Sequence, residues 1–264
     1  MVRTGIQLQS FHGLSEPLPE TIERIGETAI DGVELFDPDI SSPTAIANAI
    51  EGSDLDVIGV HVTIDRLERE YQTVVETYEQ MGCSRLIVPL YDPDAFASPE
   101  SAEDAARDLS ALAVTAADDG FDLLYHNHAF EFTQVATGAT TAYESFVEAS
   151  DPALEFELDT GLATYAGVDP VEILSRYGDR ISLIHLTDSV PGREATMQVE
   201  LGAGVLDIEA CIECAREADV EWLIYEHGQT SDPMGSLTHA VTKLPRVSRR
   251  VDSGCESNSV TSSD

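Results

Sequence analysis

Residues 98–126, SPESAEDAARDLSALAVTAADDGFDLLYH, hold two kinds of order in one stretch. The first part opens on Ser-Pro, repeats apolar residues at helical spacing and stops at Gly120, which predicts a helix. The second part, FDLLYH at 121–126, is a short run of apolar and aromatic residues, which predicts a strand. The same alternation extends in both directions. The runs GIQLQS (5–10), GVELF (32–36), VIGVH (57–61), RLIVPL (85–90), LEFELD (154–159), ISLIHL (181–186) and EWLIYE (221–226) complete a set of eight. Helical patterns such as PETIERIGETAI and DIEACIECAREA lie between them. Alternating strands and helices predict a parallel sheet with helical crossovers. Eight units spaced by roughly thirty residues point to a single closed (β/α)8 TIM barrel, which takes about 250 residues. An open dinucleotide-binding sheet is disfavoured, because the first strand runs into SFHGLSE rather than a GxGxxG turn. The barrel is expected over 1–246, and the Ser-rich, aperiodic 247–264 is expected to be a disordered tail.

Composition narrows the function. There are 49 acidic residues against 14 basic ones, a formal net charge of -35, and the acids are spread along the chain. Lys243 is the sole lysine. Adaptation to a high-salt cytoplasm accounts for such a balance, since salt screens the self-repulsion that would oppose compaction. Nucleic acid is excluded as a partner, because phosphate binding needs clustered Lys and Arg. No apolar run reaches the roughly 18 residues of a membrane helix, and MVRTGIQLQSFHG lacks the layout of a signal peptide. A cytoplasmic protein with no membrane partner is expected. Cys211 and Cys214 fall on one face of a helical pattern with no second pair, so all four cysteines are expected as free thiols.

The ends of the strands carry the chemistry in a barrel of this kind. Reading only those ends gives Glu34, His61, Tyr91 with Asp92, His126, Asp159, His185 and Glu226. A buried polar group without a partner costs about 1–3 kcal/mol, so a converging set implies a shared partner. Period-2 arithmetic places Glu155, Glu157 and Asp159 on one face, and Trp222, Ile224 and Glu226 on another. If the terminal residues point into the mouth, His126, Asp159, His185 and Glu226 surround one spot. Two imidazoles and two carboxylates suit a divalent transition metal; calcium would take oxygen ligands.

The segments YHNHAFEF, LDTGLATYAGVDPVEIL, RISLIHLTD and LGAGVLDIEACIECAREADVEWLIYEHG, in that order, resemble the xylose isomerase-like barrel superfamily over about residues 4 to 244. The resemblance is to its sugar phosphate isomerase/epimerase members. It implies one divalent ion, manganese first, with Co²⁺, Zn²⁺, Fe²⁺ or Mg²⁺ as the others, held by a Glu, an Asp, a His and a second Glu. The last three fall on Asp159, His185 and Glu226. The place of the first Glu is taken by His126, with His128 and Glu131 as alternatives through the turn. Thr187 stands where many relatives have Lys. The resemblance further implies a small sugar substrate, a homo-oligomer, and proton transfer by Glu226 with Glu131 or His128. Glu34, His61 and Arg193 are the expected substrate contacts. Isomerisation or epimerisation through an enediolate is the first expectation. Dehydration of an inosose or 3-keto-sugar is the second, and a non-catalytic sugar-binding barrel the third.

Overall fold

In the computed structural model, which describes residues 2–11, 13–132 and 140–257, all eight apolar runs form strands. These are β1 (Arg3–Gln7), β2 (Gly32–Phe36), β3 (Asp56–His61), β4 (Arg85–Val88), β5 (Asp122–His126), β6 (Leu154–Asp159), β7 (Ile181–His185) and β8 (Trp222–Tyr225). Each pairs in parallel with the next, and β8 pairs with β1, so the sheet closes as a (β/α)8 TIM barrel. Parallel strands all run the same way. Their C-terminal ends therefore converge on one mouth.

The helices α1 (Leu18–Gly26), α2 (Pro43–Gly52), α3 (Ile64–Glu79), α4 (Pro99–Asp118), α5 (Ala142–Ala149), α6 (Thr160–Tyr165), α7 (Pro170–Tyr177), α8 (Ile208–Glu217) and α9 (Pro233–Ser257) form where the sequence supplies starts and stops. In α4 (Pro99–Asp118), Ser98 and Ser101 exchange hydrogen bonds as a capping box and Pro99 occupies the first turn. Its buried face is lined by Ala102, Ala105, Ala106, Leu109, Ala113 and Ala116, small residues that let the helix lie close to the sheet. In α8 (Ile208–Glu217), Asp207 caps by accepting from Ala210 N, and Cys211 is buried while Cys214 is partly so. Cys83, Cys211 and Cys214 are free thiols; the side chain of Cys255 lies outside the described residues.

Inside the barrel, below the strand ends, Ile58, Ile87, Leu124, Leu183, Trp222 and Ile224 form a separate apolar cluster. Gly5, Gly32 and Gly59 make room for it, since a Cβ at these positions would collide with Ile58, Trp222 or Ile87. Beneath it the Arg3 guanidinium lies 3.9 Å from the Trp222 ring centre. The plug leaves the mouth as the open end.

Two register shifts interrupt the ladders, one beside Glu34 where β2 meets β3, the other beside Glu157 where β6 meets β7. Bulges of this kind re-aim side chains and gather near functional sites.

Two boundaries differ from expectation. β1 begins at Arg3 rather than residue 5 and ends at Gln7, after which Leu8–Phe11 turns as a 3-10 helix. The final helix, α9 (Pro233–Ser257), continues past residue 246 into the segment expected as tail. Two tertiary bonds hold its continuation. Buried Ser248 donates to the Val2 carbonyl at 3.4 Å, and Arg216 donates to the Ser248 carbonyl at 2.9 Å. Residues 258–264 lie outside the described residues. No helix among the described residues is long and apolar enough to cross a membrane.

Candidate active site

The structure brings His126, Asp159, His185 and Glu226 together. Each ends its strand or directly follows it, all four are buried, and one ligand atom from each lies within 4.8 Å of the others. Asp159 divides its carboxylate between two tasks. Oδ1 accepts from Leu162 N at 2.8 Å, capping α6 (Thr160–Tyr165), and from Thr187 Oγ1. Oδ2 is buried and has no partner. Asn127 supports the same residue from β5, its Oδ1 accepting from Asp159 N at 3.0 Å. Thr187 in turn accepts from Gly161 N at 2.8 Å, and a Cβ on Gly161 would collide with its hydroxyl. This residue braces the Asp159 turn.

A second layer of polar groups lies beneath. Glu157 Oε2 is 2.9 Å from His61 Nε2, 2.9 Å from His126 Nδ1 and 3.2 Å from His185 Nε2. Glu34 Oε2 is 2.7 Å from His185 Nε2 and 3.1 Å from His61 Nε2, and accepts from Gln7 Nε2 at 2.6 Å. His61, His126, Glu157 and His185 thus form a second quartet with metal-ligand spacing, sharing two imidazoles with the first.

The electrostatics follow from this crowding. Burial opposes the charged form of His61, but Glu34 and Glu157 outweigh it and push its pKa up to about 9. The same contest leaves His185 well above the ordinary histidine value. Burial would raise Glu157, yet His185 and His61 hold it well below the carboxylate range. Burial raises Asp159, with Glu226 adding to the rise. Glu226 resists burial through its hydrogen bond to His185 Nδ1, 3.2 Å away, and falls to about 2.

Over these groups opens a cavity of about 410 Å³, within the range of small-molecule sites. His61, His126, His128 and Glu226 line it, with apolar walls from Phe36, Leu90, Leu162 and Met197. Among the described residues no Lys or Arg lines it. His128 Nδ1 is buried without a partner, and its ring stands edge-on to His126 with centroids 5.4 Å apart. Burial and the neighbouring His126 lower its pKa to about 3, so the ring is neutral.

Three expected site residues sit elsewhere. Glu131 does not line the cavity; it accepts from Tyr125 Oη at 2.7 Å and from His128 N at 2.9 Å, tying down the turn after β5. Glu34 lies beneath the cavity, its Oε2 engaged by Gln7 and two imidazoles rather than open to a substrate. Arg193 is exposed in the loop after β7 and does not line the cavity; a flexible guanidinium keeps its hydration there. Conversely, reading strand ends alone passes over Glu157. The signal was available, because Glu157 shares the inward face of β6 with Asp159.

The family model for the xylose isomerase-like TIM barrel matches residues 22–245. The chain belongs to that family. Within the family, inosose dehydratase from Clostridium botulinum is 30% identical over 172 residues, covering 58% of this chain and 56% of the relative. Inosose dehydratase from Geobacillus kaustophilus is 33% identical over 141 residues, covering 47% and 44%. The chain therefore spans about half the length of these curated relatives. A solved structure of IolI protein with a binding zinc atom superposes with a TM-score of 0.73 at 14% identity, covering 95% of this chain and 99% of that one. This likeness shows the shared barrel.

Proposed function

We propose that this chain is a divalent-metal-dependent lyase that dehydrates a neutral cyclic polyhydroxy ketone of the inosose type. The observation that carries the reading is the quartet His126, Asp159, His185 and Glu226 at the floor of a cavity that no described Lys or Arg lines. The quartet fits an ion on its own chemistry. Its donors are two imidazoles and two carboxylates, the set preferred by Mn²⁺, Zn²⁺ and their neighbours, and the buried Asp159 Oδ2 otherwise lacks a partner. Manganese is the proposed ion. Dehydration is placed ahead of isomerisation because the inosose dehydratases share up to 33% identity in the cited matches, whereas the structural likeness reports the barrel alone. The absence of Lys and Arg from the cavity wall weighs against phosphorylated substrates.

An ion held by the quartet would supply polarisation of the ketone and acidify the carbon beside it. The chain's part is positioning and proton traffic. His128, a neutral imidazole on the cavity wall, takes the α-proton at a ring nitrogen and returns it to the hydroxyl departing from the next carbon. One C–H and one C–O bond break, a C=C bond forms, and water leaves. Gln198 Nε2, 3.4 Å from Glu226 Oε2, holds that carboxylate in place from the opposite wall. Phe36, Leu162 and Met197 keep bulk water from the floor.

The test is incubation of Mn²⁺-loaded protein with inosose in high salt, following loss of one water by mass spectrometry. Wild type is expected to bind one ion per chain and release water. Asp159→Asn should lose both ion and turnover; His128→Ala should keep the ion and lose turnover by about 10²–10⁴-fold. Solvent exchange at the α-carbon without water loss would replace this reading with isomerisation or epimerisation. Binding without exchange would leave a silent barrel.

A further inference from the structure

The two quartets share His126 and His185, and the lower one sets a choice of tautomer for His126 that the four upper residues do not make. A carboxylate offers only acceptors, so a ring nitrogen within hydrogen-bond distance of one must carry the proton. Glu157 Oε2 lies 2.9 Å from His126 Nδ1, and a proton there leaves that ring's lone pair on Nε2. His185 meets carboxylates at both nitrogens, Glu34 Oε2 2.7 Å from Nε2 and Glu226 Oε2 3.2 Å from Nδ1, so the same rule protonates both, and an ion bound at this ring would have to displace one of the two protons.

We infer that Glu157 is a positioning residue that holds the proton of His126 on Nδ1 and so keeps the Nε2 lone pair for an ion at the upper quartet. The inference rests on the proposed metal site and specifies how it is prepared. Ligating histidines that donate their second ring N–H to a carboxylate are oriented and made more basic, and removal of that partner weakens metal affinity by about 10–100-fold. The register shift beside Glu157 supports the assignment, because it aims this side chain across three strands to reach His61 and His185. The alternative, an ion bound by Glu157 itself in the lower quartet, needs the lone pair of His126 on Nδ1 instead. It would leave Asp159 Oδ2 buried and unpartnered.

The experiment is calorimetric titration of the full chain with Mn²⁺ and with Co²⁺, using wild type and four variants, with the visible spectrum of bound Co²⁺ as a second readout. Circular dichroism before metal addition checks folding. Wild type should bind one ion. Asp159→Asn should abolish binding, Glu157→Leu should weaken it about 10–100-fold, and His61→Ala should weaken it less than either. Glu157→Gln keeps one acceptor and guards against a misfolded Leu variant; it should bind a few-fold more weakly with a shifted Co²⁺ spectrum. Glu157 variants that match wild type in affinity and spectrum would overturn the inference. So would retention of the ion in Asp159→Asn together with its loss in His61→Ala and Glu157→Gln, which would make Glu157 a ligand. A wild type that binds neither ion would remove the metal site first and this inference with it.

Discussion

At the scale of the residue, Glu131 shows a contest between burial and hydrogen bonding. Burial raises its pKa to about 7, against the donors Tyr125 Oη and His128 N, which favour the charged carboxylate. Because the folded value is raised, the folded chain favours the protonated form. Its stabilising contribution is complete below the ordinary carboxylate value near 4.5 and is lost as pH rises through about 7. Glu131→Gln mimics the protonated state, so denaturant melts from pH 5 to 8 should show the wild type losing stability relative to this variant. A constant difference across that window would refute the assignment. Glu131→Ala strands two donors and should cost about 1–3 kcal/mol at pH 5. Sequence reasoning singled out this residue for acid–base work because it follows YHNH. What it could not see is Tyr125, whose period-2 position faces away from the barrel axis and carries Glu131 with it. His126, Asp159, His185 and Glu226 were legible for the opposite reason: a strand end has one direction open to it. Glu157 lies one inward position deeper, where a polar residue reads like any other alternation, and Gln7 escaped notice because its apolar run reads on to residue 10 although the strand ends at Gln7.

At the scale of the element, the segment between β7 and α8 is organised by one carboxylate. Asp188 Oδ2 accepts from Gly202 N at 2.8 Å and Gly204 N at 2.9 Å, and Oδ1 accepts from Leu206 N at 3.1 Å. Gly202 sits at φ +88, and a Cβ on Gly204 would collide with the Asp188 carboxylate. The same segment carries Gln198 to Glu226, and Glu200 is tied to β8 by Tyr225 Oη at 2.7 Å. Asp188→Ala should therefore speed amide hydrogen exchange at Gly202, Gly204 and Leu206 while leaving the strand amides protected. Unchanged exchange at those three amides would show that the segment holds its shape without Asp188. Periodicity located the flanking strand and helix to within a residue, ISLIHL for β7 and DIEACIECAREA for α8. It has nothing to say about a loop ordered by one carboxylate together with the loop's own backbone hydrogen bonds, and so the Asp of HLTD read only as part of a signature.

At the scale of the whole molecule, the net charge of -35 is a self-repulsion that the fold must overcome. Screening shortens from about 8 Å at physiological salt to about 3 Å at 1 M, so the melting temperature should rise with NaCl, on the order of 5 °C. Sucrose, which raises no ionic strength, separates screening from general exclusion effects. A melting temperature that is flat or falls with NaCl would contradict the charge argument. The barrel itself was legible because eight apolar runs and their intervening helices admit one closed arrangement. The extent of α9 was not, since what carries it onward is Ser248 reaching Val2 across the barrel floor, a contact between opposite ends of the chain. That floor has a consequence for traffic. Ile58, Ile87, Leu124, Leu183, Trp222 and Ile224 shut the far side, so the site is a cul-de-sac. Anything admitted last blocks whatever entered first, so on the proposed function an ion at the bottom would have to arrive before the ketone, and departures would run in reverse through the same doorway.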